Sequence, residues 1–325
     1  MIEPLLEIRD LKTYFTSKDA EVRAVDGIDL TVFPRQIVCI VGESGSGKSM
    51  TALSIMRLIP KPRGKIASGE MIFNGRDLLQ LTENEMTDVR GNDIAMIFQE
   101  PMTALNPVLS VGDQITEVLL RHRNLSKREA MQKAIEMLKF VGVPRAEQIV
   151  HDYPHQLSGG LRQRVMIAMA MVCDPKLLLA DEPTTALDVT IQAQVLDLMK
   201  KMRNDFNTAI VLITHDLGVV AEMADHVVVM YAGQVVESVV ADVLFERPLH
   251  PYTIALMASI PSLDEEKEVL YSIPGTVPDA AAFPAGCRFA DRCSLVQSSC
   301  REKMPQLREL HPGHFVRCDL VGREG

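Results

Sequence analysis

Nothing in this 325-residue chain reaches the ~18 consecutive apolar residues that a membrane-crossing helix needs. The longest apolar run, Val165-Met-Ile-Ala-Met-Ala-Met-Val-Cys173, suits a buried helix instead. An excess of basic charge is also missing: 34 Lys and Arg against 43 Asp and Glu leave a formal net charge of −9. That balance argues against a nucleic-acid backbone as the main partner, because neutralising phosphates requires a basic face. The opening Met1-Ile-Glu-Pro-Leu-Leu-Glu-Ile8 carries acids where a secretory signal would carry bases, so it reads as a first strand and a cytoplasmic protein is expected. Neither an internal repeat nor a low-complexity tract is present, which excludes a solenoid or array. The length accommodates one large α/β core with an appendage, or two unequal domains.

Cysteine is scarce except at the end. Cys39 and Cys173 stand alone in apolar segments and read as small core hydrophobes, whereas Cys287, Cys293, Cys300 and Cys318 crowd together. Their spacing lacks the C-x₂-C pairs of common zinc ribbons, yet four thiolates can ligate either Zn²⁺ or a [4Fe–4S] cluster. In a cytoplasmic protein a metal or cluster site is favoured over two disulfides. Arg288, Arg292 and Arg301 lie beside these cysteines and are expected to favour thiolate and offset cluster charge.

What is present is βα alternation. Leu5 to Leu11 and Val22 to Val32 read as antiparallel strands, and Gly69-Glu-Met-Ile-Phe-Asn-Gly75 as strand and turn. Ile94 to Phe98, Leu177 to Ala180, Ala209 to Ile213 and Val227 to Met230 read as buried strands. Val111 to Val141 has helical spacing. Strands alternating with helices imply a largely parallel sheet. Near Arg247-Pro-Leu-His-Pro-Tyr252 the composition turns to proline, glycine and charge and strand runs cease, so a boundary is expected close to residue 250.

The apolar run Ile37-Val-Cys-Ile-Val41 leads into Gly42-Glu-Ser-Gly-Ser-Gly-Lys-Ser49, followed by the helical Met50-Thr-Ala-Leu-Ser-Ile-Met56. A strand, a G-x-x-x-x-G-K-S loop and a helix aim backbone N–H groups and a helix N-terminus at one point, which binds phosphate. Gly42, Gly45 and Gly47 give room or conformations that a Cβ denies, Lys48 can reach the β- and γ-phosphates, and the Ser49 hydroxyl can ligate Mg²⁺. A second strand, Leu177-Leu-Leu-Ala180, ends in Asp181 and Glu182. The first acid can hold Mg²⁺ and the second can orient or deprotonate a water in line with the γ-phosphate. Ser158-Gly159-Gly160 opens the apolar helix that follows as a second phosphate-facing N-terminus. One nucleotide has no need of two such termini from one subunit, so the second can serve a partner's nucleotide.

With these residues in order, the chain closely resembles the nucleotide-binding subunits of ATP-binding cassette (ABC) transporters. The resemblance makes Gly42 to Ser49, including Ser44, the Walker A loop; Leu157 to Gly160 the signature; and Leu177 to Glu182 the Walker B strand with its catalytic glutamate. It likewise makes Gln99 the Q-loop glutamine that helps hold Mg²⁺, Ala186-Leu-Asp188 the D-loop, His215 the switch histidine and Phe15 the adenine-stacking aromatic, with neighbouring Tyr14 packed. Leu161 departs from the family's usual glutamine, while the Ser158, Gly159 and Gly160 donors remain. Arg247 to Thr253, Gly286 to Cys293, Met96 to Pro107 and Asp181 to Gln192 are similar to the oligopeptide and dipeptide importer ATPases, of which nickel importers are near relatives. The implied fold is α/β: a RecA-like P-loop ATPase core over residues 1–250, with an antiparallel β-subdomain and a helical subdomain inserted at about 100–170, and a cysteine-bearing C-terminal domain over 251–325. The implied cofactors are ATP, Mg²⁺ and a [4Fe–4S] cluster. The implied partners are a second, related cassette subunit, two membrane permeases and, indirectly, a binding protein, with the chain peripheral on the cytoplasmic membrane face.

Overall fold

The computed structural model describes residues 3–16, 20–99, 104–185, 187–259 and 272–322. Two compact units emerge: one comprises residues 1–32, 37–79 and 214–325, the other 33–36 and 80–213. The residues after 250 therefore belong to the same unit as the phosphate loop.

In the first unit, β1 (Leu6–Thr16) and β2 (Glu21–Val32) pair antiparallel as expected. Apolar residues at near-alternate positions, Leu6, Ile8 and Leu11 on β1 and Ile28, Leu30 and Val32 on β2, are buried. The fully buried β3 (Ile37–Val41) feeds the loop and then helix α1 (Lys48–Ile55). Next, β4 (Gly64–Phe73) starts earlier than its apolar residues indicate, because it pairs with β1 back to Gly64, and β5 (Arg76–Asp77) completes the sheet in the order β2-β1-β4-β5.

The second unit holds three parallel strands in the order β8-β7-β6. These are β6 (Ile94–Ile97), β7 (Leu177–Asp181) and β8 (Ala209–Ile213), buried along their whole length, as parallel strands covered on both faces must be. Around them lie α2 (Glu83–Val89), α3 (Val111–His122), α4 (Lys127–Phe140), α5 (Gly159–Met171) and α6 (Val189–Phe206). The long helical segment splits because Ser126 starts a new helix: its hydroxyl accepts from Glu129 N at 3.3 Å while Glu129 accepts from Ser126 N at 2.8 Å. Ala130, Ala134, Met137 and Leu138 then form its buried stripe.

Returning to the first unit, α7 (Leu217–Met223) precedes β9 (His226–Tyr231), which pairs parallel with β3 in the register Cys39↔Val227. Next to β9 come β10 (Gln234–Val240), β12 (His314–Val316) and β11 (Arg308–His311), all antiparallel. Strands thus resume after residue 250, contrary to expectation. At three and four residues they are too short to carry an apolar period, and pairing on the edge of β10 holds them instead. Cys39 and Cys173 are buried, and burial pushes both thiols up, which fits their reading as core residues. No helix among the described residues is long and apolar enough to cross a membrane.

Candidate functional site

The loop after β3 is shaped by its glycines. Gly42 has φ +150° and Gly47, which caps α1, has φ +101°. A Cβ at Gly42 would lie 2.1 Å from the Met230 carbonyl oxygen, and one at Gly47 2.5 Å from that of Ala24, so the loop fits against β9 and β2 only as bare backbone. Lys48 is 6 % exposed, and its ammonium donates to the carbonyls of Gly42 (2.8 Å) and Glu43 (3.0 Å) across the mouth of the loop. Ser44 and Gly45 face solvent, and Ser49 is half-buried on the first turn of α1. The result is a loop of bare backbone with one ammonium group bonded across it.

Phe15 and Tyr14 part company on β1. The Tyr14 hydroxyl donates to Asp26, whereas the Phe15 ring lies against Gly64, where a Cβ would come within 2.7 Å of it. His215 is exposed just beyond Thr214, whose N–H donates to the Ile40 carbonyl of β3 at 3.2 Å.

In the second unit, Asp181 ends β7 and is 5 % exposed. Glu182 follows in a left-handed conformation (φ +47°), a strained setting for a residue with a side chain, and its N–H donates to Ile213 O at 2.9 Å. Its Oε2 accepts from Gln99 Nε2 at 2.8 Å and from Thr185 Oγ1 at 2.9 Å. The structure thus joins Gln99 to Glu182 as the spacing alone cannot, and adds Thr185, which sequence reasoning missed. Asp188 caps α6 by accepting from Ile191 N at 2.9 Å; Ala186 lies outside the described residues, as do residues 100–103 of the Met96 to Pro107 stretch.

Ser158 caps α5, and both it and Gly159 are exposed, with nothing within 4 Å of a Cβ at Gly159. The cap bond runs from the Leu161 backbone N–H to Ser158 Oγ at 3.4 Å, so the departure at position 161 leaves it intact. Buried Gln163 on the same helix donates to Pro183 O at 2.6 Å, tying α5 to the turn that carries Glu182. In sequence Gln163 stands between Arg162 and Arg164 and carries no sign that it is buried.

The four tail cysteines line one small cavity together with His250, Pro251, Phe289, Ala290 and Leu320. Among the described residues, however, no group of three or more His, Cys, Asp or Glu side chains is arranged to hold a metal ion. Tetrathiolate zinc draws four sulfurs to ~2.3 Å from one centre, whereas here the four stand around a cavity. The role expected of the arginines is corrected. Arg288 is bound to Asp26 and the Ala232 carbonyl, Arg292 to Glu43, and Arg301 to Asp291, so none serves the thiols. Burial accordingly pushes the Cys287 thiol up to about 11, with its three neighbours adding to the rise, and also raises Cys293 and Cys318.

Residues 25–185 match the family model described as ABC transporter, and 236–300 that of the oligopeptide/dipeptide transporter C-terminal region. The chain is 56 % identical to the oligopeptide transport ATP-binding protein AppD of Bacillus subtilis, covering 99 % of this chain and 98 % of that one. It is 51 % identical to OppD of the same organism, covering 98 % and 89 %. Among solved structures, the ATP-binding cassette MJ0796 in a dimeric post-hydrolysis state with ADP and Pi superposes with a TM-score of 0.66 at 27 % identity, over 73 % of this chain and 98 % of that one. CbiO1 from Clostridium perfringens, part of an ABC transporter complex, gives 0.64 at 25 %, over 75 % and 92 %. With the cradle, the acid-tipped strand and the capped signature helix all in place, this chain belongs to the ABC transporter family, as an ATP-binding cassette subunit of the oligopeptide/dipeptide branch.

Proposed function

We propose that this chain hydrolyses ATP to power a membrane importer of di- and oligopeptides. The observation that carries the reading is the phosphate loop, where Lys48 closes a backbone cradle that no side chain could share. Lys48 binds the β- and γ-phosphates, Phe15 stacks on adenine, and Gly42, Ser44, Gly45, Gly47 and Ser49 supply loop donors. Ser49, Gln99 and Asp181 are the residues to hold Mg²⁺, whose charge offsets that developing on the phosphates. The buried carboxylate of Asp181 at a strand end fits that ion. Glu182 takes the proton of the attacking water, and His215 reads the γ-phosphate. Residues 1–250 act as the cassette and 251–325 as its attached domain.

The exposed Ser158-Gly159-Gly160 terminus serves the ATP of a partner cassette, a related subunit paired head to tail, with Asp188 near the shared face. ATP binding closes the pair and hydrolysis reopens it. Closure then drives alternating access in two permeases loaded by a separate binding protein, with the chain peripheral on the cytoplasmic side. Ser158→Arg should leave the fold intact, since the side chain is exposed, yet block closure and cut hydrolysis at the site it serves at least tenfold. Normal turnover at that site in the assembled pair would count against head-to-tail pairing. For the substrate, the test is ATP-dependent uptake of labelled dipeptides by the reconstituted transporter. Nickel uptake without peptide uptake would overturn the peptide reading.

A second reading concerns the tail, because four thiols surround one cavity. Cys287, Cys293, Cys300 and Cys318 hold a [4Fe–4S] cluster, which spaces its thiolates more widely than a single ion does. When bound, it would cross-link segments too short to build a large core. Anaerobically purified chain is expected to be brown with stoichiometric iron and sulfide, and any Cys→Ser variant to lose most of both. One zinc and no iron would reject the cluster, and no metal would reject the site altogether.

A further inference from the structure

Glu43, the second residue of the phosphate loop, is gripped from outside the cassette. Arg292, between Cys287 and Cys293 in the tail, donates from Nη1 to Glu43 Oε2 at 2.6 Å and from Nη2 to Glu43 Oε1 at 2.9 Å. Its other donations go to Pro274 O (2.9 Å), Ile273 O (3.2 Å) and the Tyr231 hydroxyl (3.2 Å), so the guanidinium is locked in place. The Glu43 backbone N–H in turn donates to the hydroxyl of Tyr252 at 2.9 Å. Tyr252 is fully buried, and its ring packs on Tyr231 and Phe289 at centroid distances of 4.6 and 5.4 Å. An exposed ion pair would contribute little, but this one is bidentate, its arginine side chain is 5 % exposed, and both partners have further bonds that fix them.

We propose that Arg292 and Tyr252 are positioning residues of the nucleotide site, bracing the phosphate loop through Glu43. They act on the residue whose carbonyl accepts from Lys48 Nζ at 3.0 Å and from Ser46 N at 3.2 Å. The Gly42–Glu43 peptide unit is thus held on one side by Tyr252, through its N–H, and on the other by Lys48, whose Nζ donates to its Gly42 carbonyl at 2.8 Å. Releasing the brace lets that unit rotate, and the loop pays ordering entropy each time nucleotide binds. The effect falls on ATP affinity and not on the hydrolytic step, because Arg292 and Tyr252 bond to the phosphate loop while Gln99 and Thr185 orient Glu182.

The proposal rests on reading Gly42 to Ser49 as an ATP loop, and equilibrium ATP binding to the full chain tests both. Arg292→Ala and Glu43→Ala should each weaken binding about tenfold, the double variant no further than either single one, and Arg292→Lys by an intermediate amount, since lysine keeps the charge but not the fork. In the assembled transporter the KM for ATP should rise while kcat stays within about twofold. Tyr252→Phe keeps the ring and removes only the acceptor, so it carries the test if Arg292→Ala fails to fold, with an expected weakening of about threefold. A wild type that binds ATP beside an Arg292→Ala or Tyr252→Phe variant that binds it equally well would overturn the brace alone, as would fully additive effects in the double variant. A wild type that binds no ATP would overturn the ATP reading and the brace with it.

Discussion

Glu182→Gln is expected to leave ATP bound and to lower steady-state hydrolysis by about 100-fold or more, the range that loss of a general base produces. The substitution separates chemistry from placement. Glu182 Oε2 accepts from Gln99 and from Thr185, and a glutamine carbonyl oxygen can accept the same two bonds. What disappears is the negative charge and the capacity to take a proton. Thr185→Ala removes only one of the two orienting bonds and should cost a few-fold. Phosphate release measured at saturating ATP and Mg²⁺ distinguishes them, and wild-type turnover in Glu182→Gln would remove this residue from the hydrolytic role. The left-handed backbone at Glu182, with φ +47°, is the kind of strain found where a side chain must be aimed.

Gly42→Ala should be the most damaging single-methyl change in the loop. Its Cβ would stand 2.1 Å from the backbone oxygen of Met230, which belongs to β9 and cannot swing aside, and φ +150° lies in a region that side chains avoid. The combined strain and overpacking should cost about 3 kcal/mol or more and weaken nucleotide binding at least tenfold. Gly45 is the internal comparison: a Cβ there meets nothing within 4 Å, and only its φ of +76° opposes alanine. Gly45→Ala should therefore cost about 1 kcal/mol. Thermal or denaturant unfolding of the two variants side by side checks the ordering, and equal losses would mean the contact with Met230 is relieved at no cost.

Much of this was legible in the residues because the chemistry is local. A phosphate cradle needs glycines, lysine and serine at fixed offsets along one turn, so Gly42 to Ser49 announces itself without tertiary information. The same holds for the apolar strands at Leu177 and Ala209, whose burial on both faces makes continuous hydrophobic runs, and for the helix that Ser158 opens. The chain order of these elements was enough to point to the family. Where contacts join residues far apart, that signal fails. Gln99 and Glu182 lie 83 residues apart along the chain, and only the fold puts the amide of one on the carboxylate of the other. β11 and β12 have too few residues for a period of their own, and exist because β10 offers an open edge.

The tail marks the division most clearly. Cysteine spacing pointed to four thiols acting together, and the fold does gather them around one cavity. The adjacent arginines looked equally meaningful in sequence, as partners for thiolates. Sequence adjacency, however, says nothing about the direction in which a long side chain extends. Arg288 and Arg292 turn away from the cysteines to Asp26 and Glu43, 262 and 249 residues distant along the chain. By itself the sequence determined which residues can bind phosphate, take a proton or ligate metal, since those capacities belong to side-chain type and short-range spacing. Only the tertiary structure decided which of them meet, because a charge buried among apolar neighbours must find its partner in space, wherever along the chain that partner lies.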